Sequence, residues 1–255
     1  RLGLHKAGFV QGLKDAPGTP QTEALVGLLL EATADTGQPL SIEELCQWQA
    51  ALFPEPPLLG NIRIGELRGD EPMQVVSGRI DRPVVHFEAP PREGLEAELQ
   101  CFVDWFNEPP GGLDPILRAG IAHLWLITLH PFDDGNGRVT RAVTDRTLAQ
   151  AEQSTIRFYS LSAAIMARRN EYYDQLEVAQ KGSLDITPWL GWFLSVLEDA
   201  LHQGLKRFER VVQKARYWQR HSQTVLSERQ IKVLNRLLDG QGEEFEHGIN
   251  ASKYM

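Results

Sequence analysis

His130-Pro131-Phe132-Asp133-Asp134-Gly135-Asn136-Gly137-Arg138-Val139-Thr140-Arg141 is the stretch on which the reading of this 255-residue chain turns. It sits between two helical patterns. Ahead of it, Asp114-Pro115 supplies an N-cap and a first-turn proline for Ile116 to Leu129, a segment apolar on nearly every face. Behind it, Val139, Val143 and Leu148 mark the core face of a helix running to about Gln150. A helix without a polar face belongs in the middle of a bundle, so the spacing predicts a mainly α protein built around this pair.

The stretch itself has the parts of a nucleotide triphosphate site. Gly135-Asn136-Gly137 allows close backbone approach, and the helix that follows offers its unpaired N–H groups and positive dipole end to an anion. Arg138 and Arg141 stand on neighbouring positions of that helix and can hold separate phosphates. Asp134 is a hard oxygen ligand suited to Mg²⁺ that keeps its waters and bridges phosphates. His130 is the candidate general base, since an imidazole is both neutral and basic near neutral pH. Phe132 is expected to point inward and anchor the loop, and His123 to be a hydrogen-bonded core histidine.

Outward from the motif, helices are expected from Thr19-Pro20 through Ala32 and from the capping box Ser41-Ile42-Glu43-Glu44 to about Phe53. Leu95, Leu99, Phe102, Val103 and Phe106 mark another. Ser162 is expected to cap one helix carrying Ile165, Met166, Tyr172, Tyr173 and Leu176. Thr187-Pro188 starts a longer one, continuing towards Trp218, and Ser227-Glu228-Arg229-Gln230 caps the last. Residues 1–19 read as an irregular lead-in. Between Gly60 and Pro91 the helical period disappears; Ile62 and Ile64, Met73 to Ser77, and Pro83 to Phe87 read as a hairpin or two. Arg68-Gly69-Asp70 lies in one of those turns and is taken as turn chemistry. The run Lys206, Arg207, Arg210, Lys214, Arg216 and Arg220 reads as a solvated helix face.

Composition narrows the function classes. The formal charge of −8 argues against a surface given over to nucleic acid. No apolar run reaches the roughly 18 to 20 residues that span a bilayer, so no membrane partner is expected. Cys46 and Cys101 lack metal-ligand spacing and are read as buried reduced thiols, which points to a cytoplasmic protein.

The central stretch matches the Fic family signature His-x-Phe-x-(Asp/Glu)-Gly-Asn-Gly-Arg-x-x-Arg, and the chain is identified by it as resembling that family. Met73-Gln74-Val75-Val76-Ser77-Gly78, Val85-His86-Phe87-Glu88-Ala89-Pro90-Pro91 and Arg157-Phe158-Tyr159-Ser160 look like runs of bacterial Fic proteins that end in a winged helix domain. The resemblance implies a helical Fic-type bundle with a small β-hairpin flap and a truncated C-terminal helix-turn-helix segment. The boundaries it suggests are an N-terminal helical segment over 1–59, a catalytic domain over 60–220 (flap about 60–91, core helices 93–220), and the start of a winged helix domain over 227–255, cut before its recognition helix. DNA binding is thus expected only of a full-length parent.

The activity the resemblance implies is Mg²⁺-dependent transfer of AMP from ATP to a Ser, Thr or Tyr hydroxyl of a target protein. His130 would be the base and Asp134 the Mg²⁺ ligand. Gly135, Asn136 and Gly137 would cradle the α-phosphate, Arg138 and Arg141 would hold the β- and γ-phosphates, and Tyr172 and Tyr173 would line the adenine pocket. The target would align along the flap at Met73, Gln74, Val75, Val76 and Ser77 by strand addition. Many Fic proteins carry an inhibitory helix of pattern (Ser/Thr)-x-x-x-Glu-(Gly/Asn). This sequence has no match, since Glu93-Gly94 follows Ala89, so that helix is expected from a segment ahead of Arg1 or from a partner. A homodimer is left open. The alternatives are a nucleotide-sensing transcriptional regulator acting through the winged helix, or a Fic relative with a different transfer or de-AMPylation activity.

Overall fold

The helices expected at Ser41, Asp114 and Ser227 start at those caps. The computed structural model describes residues 19–34, 36–55, 62–79, 82–154 and 157–239. The expected lead-in, apart from Thr19, lies outside the described residues. The first helix is α1 (Pro20–Ala34), and α2 (Ile42–Ala51) follows with Ser41 Oγ accepting the Glu44 N–H at 3.0 Å. The reciprocal half of the expected capping box is not made. Glu44 turns its carboxylate to Arg146, 2.8 Å away, because that guanidinium is 1% exposed and a buried cation needs its counter-charge.

Only one hairpin forms among the described residues, β1 (Gln74–Arg79) against β2 (Arg82–Glu88), antiparallel, with the register interrupted between Val75 and Val76. Ile62 and Ile64 lie in no strand. Then come α3 (Leu95–Asn107), α4 (Pro115–Leu129) and α5 (Asn136–Glu152), with Asp114 capping α4 through the N–H groups of Ile116 and Leu117. The helix expected from Ser162 is two helices, α6 (Leu161–Ala167), capped by Ser160, and α7 (Arg169–Lys181). The chain breaks direction at Arg168, whose guanidinium leaves the helix path to bind Glu171, Ser195 and Asp199.

The long α8 (Thr187–Arg220) and α9 (Glu228–Leu238) complete the described chain. The chain divides into two compact units, described here over 19–200 and 201–239. In the second, Lys214 pairs with Asp239 at 2.7 Å and Trp218 Nε1 donates to Asn235. Lys214 is therefore buried, while its basic neighbours Lys206, Arg207, Arg210, Arg216 and Arg220 are solvated.

Within the first unit α4 is the central helix. Ala122, Leu126 and Leu129 join one hydrophobic cluster with Leu28, Trp48, Phe102 and Phe132, while Ala119, Leu124 and Ile127 join a second with Leu161, Tyr172, Trp189 and Phe193. Burying apolar side chains on both faces of one helix, at about 1.5 to 3 kcal/mol for each large residue, holds the two layers together through α4. α8 packs close against Gly120, where a Cβ would stand 2.9 Å from Leu190 Cδ2. Cys101, on the polar side of α3, is exposed and Cys46 half-buried, so neither is the buried thiol expected, though both are free. Among the described residues no helix is long and apolar enough to cross a membrane.

Candidate active site

The motif lies in the turn from α4 to α5, and its shape comes from two left-handed residues. His130 ends α4 at φ 49°, ψ 56°, its N–H donating to Leu126 O, and this cap swings the imidazole out of the helix path. Gly135 precedes α5 at φ 92°, and a Cβ there would also crowd Leu52 Cδ1 at 3.3 Å. Between them Phe132 is fully buried, and Asn136 locks it. The Phe132 N–H donates to Asn136 Oδ1 at 2.9 Å, and Asn136 Nδ2 donates to Phe132 O at 2.6 Å. The Asn136 side chain is thus spent on the loop, and what α5 offers an anion is the main-chain N–H of Asn136 and Gly137 at its first turn.

A pocket of about 190 Å³ opens beside this turn and is lined by Val75, His130, Gly137, Arg141, Tyr172 and Tyr173 from the expected set. His130 Nδ1 lies 3.1 Å from Ile127 O, which can only accept, so the ring proton sits on Nδ1 and the lone pair on Nε2. Burial lowers the His130 pKa from its ordinary value, against the opposing pull of the Ile127 bond, while Arg68 lowers it further and Asp134 raises it. Arg141 makes no hydrogen bond or ion pair among the described residues. Asp134, Gly135, Asn136 and Arg138 do not line this pocket. Arg138 pairs with Asp134 at 3.2 Å and lies over the Phe53 ring, 5.2 Å from its centroid. The two arginines, expected to act side by side, therefore face different surroundings.

Asp134 is half exposed; one oxygen accepts the Gly135 N–H and the other meets Arg138. Among the described residues no group of acidic, histidine or cysteine side chains forms a closed metal cage. One carboxylate at a helix N-terminus fits a hard cation that keeps its waters and shares phosphate oxygens, and does not fit a metal held by protein alone.

Tyr172 is held from behind. Thr144 donates its only hydroxyl proton to Thr140 O at 2.7 Å, so it accepts from His123 Nδ1 at 2.9 Å, and His123 Nε2 in turn accepts the Tyr172 hydroxyl at 3.0 Å. His123 is the hydrogen-bonded core histidine expected, its pKa lowered to about 3 by burial first and by Arg141 second.

The sequence reading passed over several wall residues, among them Phe87, Leu176, Glu177 and Gln180. Helical spacing from Tyr172 and Tyr173 points to the last three. It also passed over Gln49, fully buried on α2, whose amide donates to Asp134 O and Arg63 O and accepts from the Gly65 N–H at 2.6 Å. A glutamine among the core-facing Leu45, Trp48 and Leu52 was the available signal.

The fold is similar to that of solved Fic structures. A crystal structure of a Fic family protein from Desulfovibrio desulfuricans G20 superposes with a TM-score of 0.58 at 24% identity, over 80% of this chain and 59% of that one. Fic-1 (residues 134–508) from C. elegans gives 0.56 at 22% identity, over 80% and 57%. The family model described as Fic/DOC family matches residues 39–148. The protein adenylyltransferase Fic of Drosophila willistoni is 32% identical over 133 residues, 51% of this chain and 25% of the relative. The protein adenylyltransferase fic-1 of Caenorhabditis elegans is 35% identical over 114 residues, 43% of this chain and 21% of the relative. The likeness to the Fic/DOC family lies in this domain, residues 39–148. It spans about a quarter of the length of the curated relatives it matches.

Proposed function

We propose that this protein transfers AMP from ATP to a hydroxyl of a target protein, and that the observation carrying this is the Nδ1-protonated His130 ring standing in one pocket with Gly137 and the unpaired Arg141. In the proposed reaction the target hydroxyl oxygen attacks the α-phosphorus while its proton passes to His130 Nε2. The bond from the α-phosphorus to the bridging oxygen of the β-phosphate breaks, and pyrophosphate leaves. A base so placed contributes about 10²- to 10⁴-fold. The relatives named protein adenylyltransferase support the reaction class.

In this reading Arg141 holds the terminal phosphates, the Asn136 and Gly137 N–H groups cradle the α-phosphate, and Arg138 reaches the triphosphate from outside the pocket. Tyr172 and Tyr173 wall the nucleobase side. Asp134 would hold Mg²⁺, which when bound supplies charge neutralisation to the phosphates. The hairpin, with Met73 to Ser77 along β1, is the seat for an extended target segment, since a two-stranded sheet has open outer edges. The open guanidinium of Arg141 is also where an inhibitory glutamate from another segment or a partner would act.

The test is incubation with α-labelled ATP and Mg²⁺ in host lysate, with mass spectrometry of the proteins that gain AMP. Labelling by the wild type, and none by His130→Ala at undiminished ATP binding, is the expected result; equal labelling by both removes His130 as the base.

A further inference from the structure

Arg68, first read as part of a turn, is 2% exposed and lies against the back of the motif. Its N–H donates to Pro131 O at 2.9 Å and its Nε to His130 O at 3.0 Å. One terminal nitrogen donates to Pro90 O at 2.5 Å, and the Arg68 carbonyl accepts Nε of Arg92 at 2.7 Å. Pro90 follows Ala89, whose N–H closes the foot of the hairpin on Met73 O at 2.8 Å. Arg92 is clamped in turn by Glu96. A single planar guanidinium therefore joins the carbonyl of the residue bearing the imidazole to the strand pair's foot.

We propose that Arg68 is the positioning residue of His130, and that it makes the base and the hairpin one rigid body, so that a segment seated on the hairpin meets the imidazole at a fixed place. The inference rests on the proposed role of His130. The left-handed cap turns the His130 carbonyl away from the helix ladder, leaving a buried acceptor that needs a donor. Only the arginine fork can bridge two carbonyls that diverge from one point; a lysine ammonium carries the charge without the geometry. Arg68 does not line the pocket, so it acts through what it holds, the His130 carbonyl and the foot of the hairpin. The charged and titratable groups around the imidazole are Arg68 behind it, Asp134 on the motif loop, Arg141 on α5, and Tyr172, Tyr173 and Glu177 on α7.

The experiment compares wild type, Arg68→Lys, Arg68→Met and Arg92→Met by two independent readouts. The first is transfer from Mg·ATP, α-labelled, with kcat and KM for ATP separated. Arg68→Lys is expected to lower kcat about 10- to 100-fold with KM for ATP within a factor of about 3, since a displacement near 1 Å costs rates of this size. The second is an NMR titration of the His130 imidazole, which needs no transfer activity. The wild type is expected to hold a single Nδ1–H tautomer titrating below 6.5. Arg68→Met is expected to lose that tautomer and to titrate higher than wild type. Arg92→Met, which touches only the outer side of Arg68, is expected to move both readouts in the same direction by less, and it keeps the comparison decisive if the Arg68 variants fail to fold. An unchanged His130 tautomer and titration in Arg68→Lys, Arg68→Met and Arg92→Met would overturn the inference. A wild type that transfers no AMP but shows the expected titrations overturns the adenylyl reading and leaves Arg68 as the holder of His130.

Discussion

Arg157 closes on the carboxylate of Asp145 at 2.5 Å while also holding the Asp145 carbonyl, and so takes for itself the acid one helical turn beyond Arg141. An arginine and an aspartate four apart on a helix ordinarily pair with each other. Here the pairing is intercepted, and Arg141 is left to face the pocket.

Arg157→Met should therefore free Asp145 to capture Arg141. An interaction of this kind is worth about 0.5 to 1 kcal/mol, so ATP binding should weaken about 2- to 5-fold. Adding Asp145→Asn should restore it. Calorimetric ATP titration of the single and double variants checks this; equal loss in both would mean that Arg157 acts on folding and not on Arg141.

The left-handed conformation of His130 makes its replacement informative beyond catalysis. Glycine adopts φ 49° without strain, whereas alanine retains the Cβ conflict, roughly 1 to 2 kcal/mol. Both variants should be inactive, with His130→Gly the more stable by about 1 kcal/mol in urea denaturation. If His130→Ala were the more stable, the cap geometry argued for the motif would be wrong.

Asn136 holds Phe132 with one donated and one accepted bond, so Asn136→Asp keeps the shape and loses the donor, and sets a carboxylate oxygen against Phe132 O. A loss of about 1 to 3 kcal/mol is expected from a buried carbonyl left unpaired. Transfer should fall with it, because the loop carries His130. Thermal denaturation and labelling by α-labelled ATP, taken together, measure the two effects.

His123 makes stability depend on pH. In the unfolded chain its imidazole protonates near 6.5, whereas in the folded protein the pKa is lowered to about 3 by burial. Between these values the unfolded state binds the extra proton. The contribution is complete above about 6.5 and is lost as pH falls towards 3, at up to about 1.4 kcal/mol per unit. Denaturation at pH 6.5 and 5, above the carboxylate range, should show a shallower fall for His123→Asn than for the wild type.

Much of this molecule is written locally. The caps Ser41, Asp114 and Ser227, the all-apolar helix before the motif, and the glycines flanking Asn136 each follow from chemistry within a few residues, and the helices at those three caps start where the caps place them. Two of the misjudged points depend on a residue distant in sequence. Glu44 left its capping box for Arg146, and Ser160 rather than Ser162 caps a helix that then breaks at Arg168 to reach Asp199. Cys101 is exposed on the polar side of α3.

The candidate site divides the same way. The identities of His130, Asp134, Gly135, Asn136, Gly137, Arg138 and Arg141 were legible because backbone approach, charge and basicity are properties of residue types at short spacing. That Arg141 enters the pocket while Arg138 lies over Phe53 was not, nor that Gln49 braces the Asp134 carbonyl.

The amino-acid sequence by itself determined the mainly helical fold, the likeness of its central domain to Fic proteins and the candidate groups for a phosphate, since periodicity, caps and a short motif are encoded where they act. Only the tertiary structure decided that Arg68 holds His130 and that Arg157 keeps Asp145 from Arg141. Those choices are made between segments brought together by folding, where a buried charge or carbonyl takes whichever partner the packing places within hydrogen-bond reach.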